Sequence, residues 1–425
     1  MKALWLCNIV LPDFADFFNI KKPFSGGWIS GALRGSESAG GVQIALCFPI
    51  IDEKRLRDGF VSGHNVYSFH CGSSDCKYID YNQEMVGRFE AIIKDFRPDI
   101  IHIWGTEYPH SLAMGAACEN LGLINRVAVN IQGLVSIIAK HYYADVPENY
   151  CNLSVSGQRS IKEDRDVFIA RGRLERLLLN KVNHCLGRTD WDRACVKQIN
   201  PDASYYYLEE ILRDTFYEKT ATWDVNAICR HSIFVSQCEY PIKGLHILLE
   251  AMPYILSEFE DAHIFAAGTD PTQRINGAMR PYGMFLKDLI NKHNLNKKIT
   301  FLGSLDEIQI CERYLKSHVF VSASSIENSS NSIAEAMILG VPVVASYLSG
   351  TASMIEHKKT GYFYPQDAAY MLAYYVCELF ADDGKVLEFS KKASARVREL
   401  KNVESNTSRL FEIYSQITDR DFLLQ

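Results

Sequence analysis

The stretch at residues 319–346, VFVSASSIENSSNSIAEAMILGVPVVAS, admits few folds. A β-branched apolar run at 319–322 suits a buried strand, and a second at 341–345, opened by Gly340 and Pro342, suits another. Between them, polar Asn328, Ser329, Ser330, Asn331 and Ser332 mark a helix start, the apolar-rich run 333–339 its body and Gly340 its stop. Two strands joined through a helix run parallel, so this is one unit of a parallel sheet.

The rest of the chain repeats that unit. Strands are expected at 3–10, 42–48, 65–69, 100–104, 126–130, 184–187 and 205–208, with helices at 83–96, 111–121 and about 160–183. A weakly patterned stretch at 210–227 reads as a linker. A second series then begins, at 231–236, 263–267, 298–302, 319–322, 341–345 and 361–363. The helix at 244–259 between its first two strands carries Leu245, Leu248, Leu249, Met252, Ile255 and Leu256 on one face. A chain of 425 residues exceeds one ordinary core, so two α/β domains follow.

Within the opening stretch, Glu327 ends the strand side and Glu335 lies on the helix. Ligands of open α/β sheets bind outside the carboxyl ends of the strands, which puts Glu327 at the lip of such a crevice, with the helix-start N–H groups facing a phosphate. Taken singly, Glu327 is also read as a solvated loop acid and Glu335 as a surface helix acid. Lys243-Gly244 opens a helix, where a lysine adds a full charge to the partial positive end; alone, it is also read as a surface lysine. The pair Gly26-Gly27 permits a close ligand approach or an ordinary turn.

Glu327 and Glu335, separated by seven residues within ENSSNSIAEAMILGVPVVAS, together with KGLHILLEAM at 243–252, closely resemble the signature of the retaining glycosyltransferases of family 4, which have the GT-B fold. That resemblance implies two Rossmann-like parallel-sheet domains facing a cleft: 1–215 for the acceptor, 216–400 for a nucleotide-sugar donor, and 401–425 as a helix crossing back to the first. It implies that Glu327 faces the donor sugar, Glu335 binds the ribose, and Ser329, Ser330, Asn331 and Ser332 with Lys243 hold the diphosphate. Gly26 and Gly27 match a loop touching donor phosphate or acceptor, while Gly268, Gly303 and Leu305 fall where the nucleobase is walled. Trp28, Glu107, His141 and Tyr142 are the acceptor-side candidates.

Two positions depart from the family pattern. Gln132 stands where the family often has a sugar-contacting His, and Gln cannot carry a proton as imidazole does. Gln237 stands where the family usually has an Arg, so one cation is missing; Arg274, Arg280 or a lysine of the first domain is a substitute, or the site is weakened. The glycine-rich turn at 349–354 keeps only Gly350 of its family counterpart.

A net charge of -6 argues against nucleic-acid binding through bulk charge. Twelve cysteines occur without a Cys-x-x-Cys pair or a His/Cys cluster, which suits reduced thiols in a cytoplasmic protein rather than disulfides or zinc. Neither a metal nor another cofactor is expected, only the nucleotide-sugar as co-substrate. Asp190-Trp191-Asp192 spells a metal-binding string of another glycosyltransferase fold, but Thr189-Asp190 before a helix reads better as a cap. No run is long enough to span a bilayer. Basic and aromatic residues at 134–181 form either a salt-bridged solvated face or a surface for a glycan or lipid-linked glycan acceptor at the inner face of a membrane. By family analogy the setting is bacterial surface-polysaccharide or lipid-linked oligosaccharide assembly. The rivals are a nucleotide-sugar-binding subunit without turnover and a nucleotide-sugar epimerase of the same fold.

Overall fold

The computed structural model describes residues 1–23, 26–72, 83–218, 222–275 and 277–419. Phe24 and Ser25 of the glycine turn, residues 219–221 of the expected linker and residues 420–425 of the last segment lie outside the described residues. The chain divides into two compact units. The first is Met1–Ala139, Val167–Arg213 and Lys401–Gln425, and the second is Lys140–Asp166 and Asp214–Leu400.

The first unit is built on strands β1 (Lys2–Leu6), β2 (Gln43–Ile50), β3 (Gly59–Val61), β4 (His64–His70), β5 (Ile100–Trp104), β6 (Val127–Asn130), β7 (His184–Gly187) and β8 (Ser204–Tyr207). Their order is β3-β4-β2-β1-β5-β6-β7-β8, parallel except for the β3–β4 hairpin. Alternate residues of β1 enter two cores, as the period of two demands. Leu4 and Leu6 pack with Phe89 and Met114, whereas Ala3 and Trp5 pack with Ile29, Leu33 and Phe411. Helices therefore cover both faces, and the central strand is apolar throughout.

The helix Val403–Thr418 belongs to this first unit and starts on an Asn402 cap that accepts from the Ser405 N–H. Trp5 Nε1–H donates to Tyr414 Oη at 2.9 Å, and His102 Nδ1 meets the same hydroxyl at 2.6 Å. Burial pushes His102 down to about 3, so its imidazole is neutral and Nδ1 accepts the Tyr414 proton. At the head of that helix Lys401 is wholly buried and pairs with Glu209 at 2.6 Å.

The second unit holds β9 (Cys229–Val235), β10 (His263–Ala267), β11 (Ile299–Gly303), β12 (Ser317–Ser322), β13 (Val343–Ser346) and β14 (Tyr362–Tyr364), ordered β11-β10-β9-β12-β13-β14 and all parallel. In the helix Asn331–Leu339 each residue from 333 to 339 is buried, including Glu335. Of the helix face expected in Leu245–Glu258, Leu245, Leu248, Leu249, Met252 and Ile255 are buried.

Residues 140–166 correct the domain boundary read from the sequence, which put them in the first domain. They join the second unit through side chains supplied from far along the chain. Ser325 Oγ donates to the His141 carbonyl at 3.2 Å, Arg280 pairs with Asp164 at 2.7 Å, and His246 Nε2 binds the Ala144 carbonyl. Burial pushes His246 down to about 4, leaving a neutral ring whose Nδ1 accepts from Tyr282 Oη at 3.1 Å. Among the described residues, no helix is long and apolar enough to cross a membrane.

Candidate active site

In the second unit the strand order reverses between β9 and β12, and their carboxyl ends open a cleft of about 280 Å³. Ser236, Gln237, Lys243, Ser322, Ser324, Glu327, Ser330 and Ser332 line it. Lys243 Nζ lies 2.6 Å from Glu327 Oε1, and Ser324 Oγ donates to that same oxygen at 2.8 Å. Both charged side chains are mostly buried, with 25% and 14% of their surface exposed. Partial burial strengthens such a pair beyond the small worth of a surface one.

Close backbone approach fixes both loops. Gly244, at φ +71°, meets the Ala323 carbonyl where any Cβ would overlap it, and Gly350 lies in the same way against the carbonyls of Glu327 and Asn328. The Ser325 N–H then donates to the Ile242 carbonyl at 2.9 Å. Ser330 occupies the N-cap of Asn331–Leu339 with extended backbone and no side-chain cap bond, so the helix start opens toward Ser332 and the cleft.

The structure thus brings together Lys243, Gln237, Glu327, Ser330 and Ser332 of the sequence candidates. Ser329, Asn331 and Glu335 lie in the same turn and helix, Ser329 and Glu335 buried. Gly268 and Gly303 end neighbouring strands, where the Gly268 N–H donates to the Gly303 carbonyl at 2.9 Å. Half-buried Leu305 precedes Asp306, which caps the helix Glu307–Leu315. Neither Arg274 nor Arg280 lines the cleft, and Arg280 is engaged by Asp164. Sequence reasoning missed Ser324, whose position three residues before Glu327 is a local signal, and Ser236 at the end of β9.

In the first unit the order reverses between β1 and β5. There Asn8 Nδ2 donates to Glu107 Oε1 at 3.0 Å, while His110 Nε2 meets Asn8 Oδ1 at 3.1 Å. Glu107 Oε2 is buried without a hydrogen-bond partner. Burial pushes the Glu107 carboxyl up to about 7; Arg171 opposes that rise, and Glu175 adds to it. Glu175 accepts from Thr106 Oγ1 at 2.8 Å and from the N–H groups of Val135 and Ser136 at 3.0 Å each. Gln132 donates from Nε2 to Asn130 Oδ1 at 3.3 Å, and its backbone carbonyl accepts from Arg188 at 2.9 Å.

Gly26 precedes the helix Gly27–Ala39, and Gly27 packs against the Arg213 side chain. Trp28 lines a largely apolar cavity with Trp104, Ile211 and Leu410. His141 is exposed and Tyr142 buried, both in the second unit rather than in the first domain where the sequence reading put them. The basic and aromatic set at 134–181 is divided. Arg171 lies over the rings of Tyr108 and Phe168, and Arg165 donates to Tyr143 Oη at 3.0 Å, whereas Lys140, Lys162, Arg173 and Arg176 are exposed. Asp192 is buried in a capping box with Thr189, so the Asp-Trp-Asp string is a helix start. Among the described residues no cluster of three or more His, Cys, Asp or Glu side chains is placed to hold a metal ion.

Residues 230–396 match the family described as glycosyl transferases group 1. An uncharacterized glycosyltransferase of Methanocaldococcus jannaschii is 29% identical over 192 residues, covering 44% of this chain and 46% of that protein. The chain therefore matches less than half the length of that curated relative. Sucrose-phosphate synthase from Thermosynechococcus elongatus superimposes with a TM-score of 0.71 at 17% identity, over 99% of this chain and 100% of that one. Anabaena HepE, solved in complex with UDP-glucose, superimposes with a TM-score of 0.65 at 15% identity, over 98% and 100%. The chain has the GT-B fold, and residues 230–396 of its second unit are similar to the glycosyl transferases group 1.

Proposed function

We propose that this chain is a glycosyltransferase that moves a sugar from a nucleoside-diphosphate sugar to an acceptor hydroxyl with retention of anomeric configuration. The observation that carries the reading is the meeting of Lys243 and Glu327 in a strand-end cleft beside the start of Asn331–Leu339. Lys243 and the helix-start amides suit the diphosphate, and Glu327 is within reach of a sugar attached to it. The UDP-glucose bound by HepE supports a nucleotide-sugar donor.

In this reading the departing diphosphate oxygen takes the acceptor proton on the face that the leaving group vacates. The protein positions both substrates and stabilises the leaving charge, and no step calls on a protein nucleophile or a metal. Glu335 holds the ribose, Gly268, Gly303 and Leu305 wall the base, and Gln132 orients the sugar. Gly26 and Gly27 lie near phosphate or acceptor, and Trp28, Glu107, His141 and Tyr142 serve the acceptor. A glycan or lipid-linked glycan acceptor in surface-polysaccharide assembly, at the inner face of a membrane, completes the proposal; the exposed basic residues at 140–176 support it.

Thermal shift against UDP-, GDP-, ADP- and CMP-sugars tests the donor site, since a ligand at 100 times its Kd stabilises by about 2.7 kcal/mol. With the donor identified, Lys243→Ala and Glu327→Ala are each expected to cut transfer at least about tenfold, or about 1.4 kcal/mol. Wild-type rates in either folded variant refute the assignment. EDTA-treated protein is expected to keep full activity. A second reading, a donor-binding subunit without turnover, draws on Gln237: Lys243 is the one cation among the described residues lining the cleft. Tight donor binding with neither hydrolysis nor transfer would favour it.

A further inference from the structure

The proposed function gives Lys243 to the donor phosphate and Glu327 to the donor sugar, yet in the structure each is the other's partner. The contact is a charge-assisted bond of 2.6 Å, and the Glu327 oxygen that makes it is also held by Ser324. Among the described lining residues Glu327 is the one acid and Lys243 the one cation, so the pair carries no net charge. The remaining polar lining is neutral, supplied by Ser236, Gln237, Ser322, Ser324, Ser330 and Ser332.

We infer, resting on the donor-site reading, that Glu327 and the donor phosphate compete for the Lys243 ammonium, so that Glu327 limits how tightly the site holds a nucleoside diphosphate. An ammonium has three protons, and Glu327 takes one of them directly toward its own oxygen. A phosphate that takes over Lys243 either displaces Glu327 or shares the cation with it, and sharing places two anions around one charge. Gln237 makes the competition decisive, because among the described residues no second cation lines the cleft to hold the phosphate while Lys243 stays with Glu327. The same contact favours release after transfer: once the sugar has gone, Glu327 has no sugar partner and recaptures the ammonium from the product. Weak product binding is then a property of the site.

The test is a double-mutant cycle read by calorimetric titration with UDP, GDP and ADP in turn, on wild type, Glu327→Gln, Lys243→Ala and the double variant. Glu327→Gln keeps the shape and the acceptor oxygen for Ser324 but removes the charge. It is expected to bind the matching diphosphate at least about tenfold more tightly than wild type while transferring sugar more slowly. In the Lys243→Ala background the same substitution is expected to change affinity less than about threefold, because the gain runs through Lys243. Glu327→Ala repeats the measurement if the glutamine variant does not fold, and melting curves establish folding in each case.

Affinity unchanged or weakened by Glu327→Gln in a wild type that binds nucleotide would overturn the competition alone. A gain of equal size with and without Lys243 would do the same, by assigning the effect to plain repulsion between Glu327 and phosphate. No binding of any nucleotide by any of the four folded proteins would overturn the donor-site reading itself, and the competition with it.

Discussion

Glu107 offers a prediction whose size follows from its surroundings. Its Oε1 accepts from Asn8 Nδ2, and its Oε2 is sealed without a partner. Burial raises its carboxyl from the ordinary 4.5 to about 7. In the unfolded chain the proton leaves near the ordinary value, so between pH 4.5 and 7 the folded state binds more protons. Stability therefore falls as pH rises through that window. It is fully present below about 4.5 and lost above about 7, a change of about 3 kcal/mol at 1.36 kcal/mol per unit. Glu107→Gln keeps an oxygen for Asn8 and cannot titrate. The unfolding free energies of variant and wild type, from urea curves at pH 5 and pH 8, should differ between the two pH values by about 2.5 kcal/mol, in favour of the variant at pH 8. Taking the difference cancels the other titrating groups. Four of the five tryptophans, Trp5, Trp28, Trp104 and Trp191, lie in the first unit, so their fluorescence reports its unfolding. A variant-minus-wild-type difference that stays flat from pH 5 to pH 8 refutes the assignment of a buried, protonated Glu107.

Three further outcomes are expected. Tyr414→Phe removes the hydroxyl shared by Trp5 Nε1 and His102 Nδ1, strands a buried donor, and should cost about 1–3 kcal/mol in the same fluorescence-monitored unfolding. Gly244→Ala forces a side chain into the Ala323 carbonyl at φ +71°; about 1–2 kcal/mol follows from the left-handed backbone alone, and calorimetry should show donor binding lost as the Lys243 loop shifts. Gln237→Arg places a second cation in the cleft and should tighten nucleoside-diphosphate binding by about tenfold or more, within the roughly 1.5–3 kcal/mol of a charge-assisted bond; unchanged affinity would place position 237 out of reach of the phosphate.

The second-unit part of the candidate site was legible because each of its elements has a local signal. The cap run at 328–332, the Gly340 stop and the two apolar strands predict one strand-helix-strand unit, and Lys243 precedes a helix of clear period. The strand β3 escaped notice because Gly59–Val61 is too short for a period and leaves Phe60 exposed. The placement of residues 140–166 had no local signal at all. Ala144, Asp164 and His141 are held by His246, Arg280 and Ser325, which stand 102, 116 and 184 residues away. Nothing in a contiguous segment says which of two cores will supply such partners. The burial of Glu107 likewise had no local signal, because Gly105 turns its segment beneath Asn8 and Arg171 covers it by donating to the Glu107 carbonyl at 2.6 Å.

The same backbone contacts decide what kind of motion the second-unit cleft can use. Gly244 lies against Ala323, Gly350 against Glu327 and Asn328, and the Ser325 N–H bonds to Ile242. The Lys243 loop, the Glu327 loop and the 349–354 turn are therefore one interlocked piece, with no room for one loop to slide past another without losing a buried contact. What remains free to change is the end of the Lys243 side chain, a flexible four-carbon stem with rotatable donors. Exchange of Glu327 for phosphate is then a rotamer event on a rigid frame. It follows that Glu327→Gln should alter how fast nucleotide leaves much more than how fast it arrives, because the approach to the cleft is unchanged while the competitor that recaptures the ammonium is gone. Stopped-flow displacement of bound nucleotide separates the two rates. A slower arrival in the variant, with departure unchanged, would mean that the loops themselves move, and would contradict the rigidity that the glycine contacts impose.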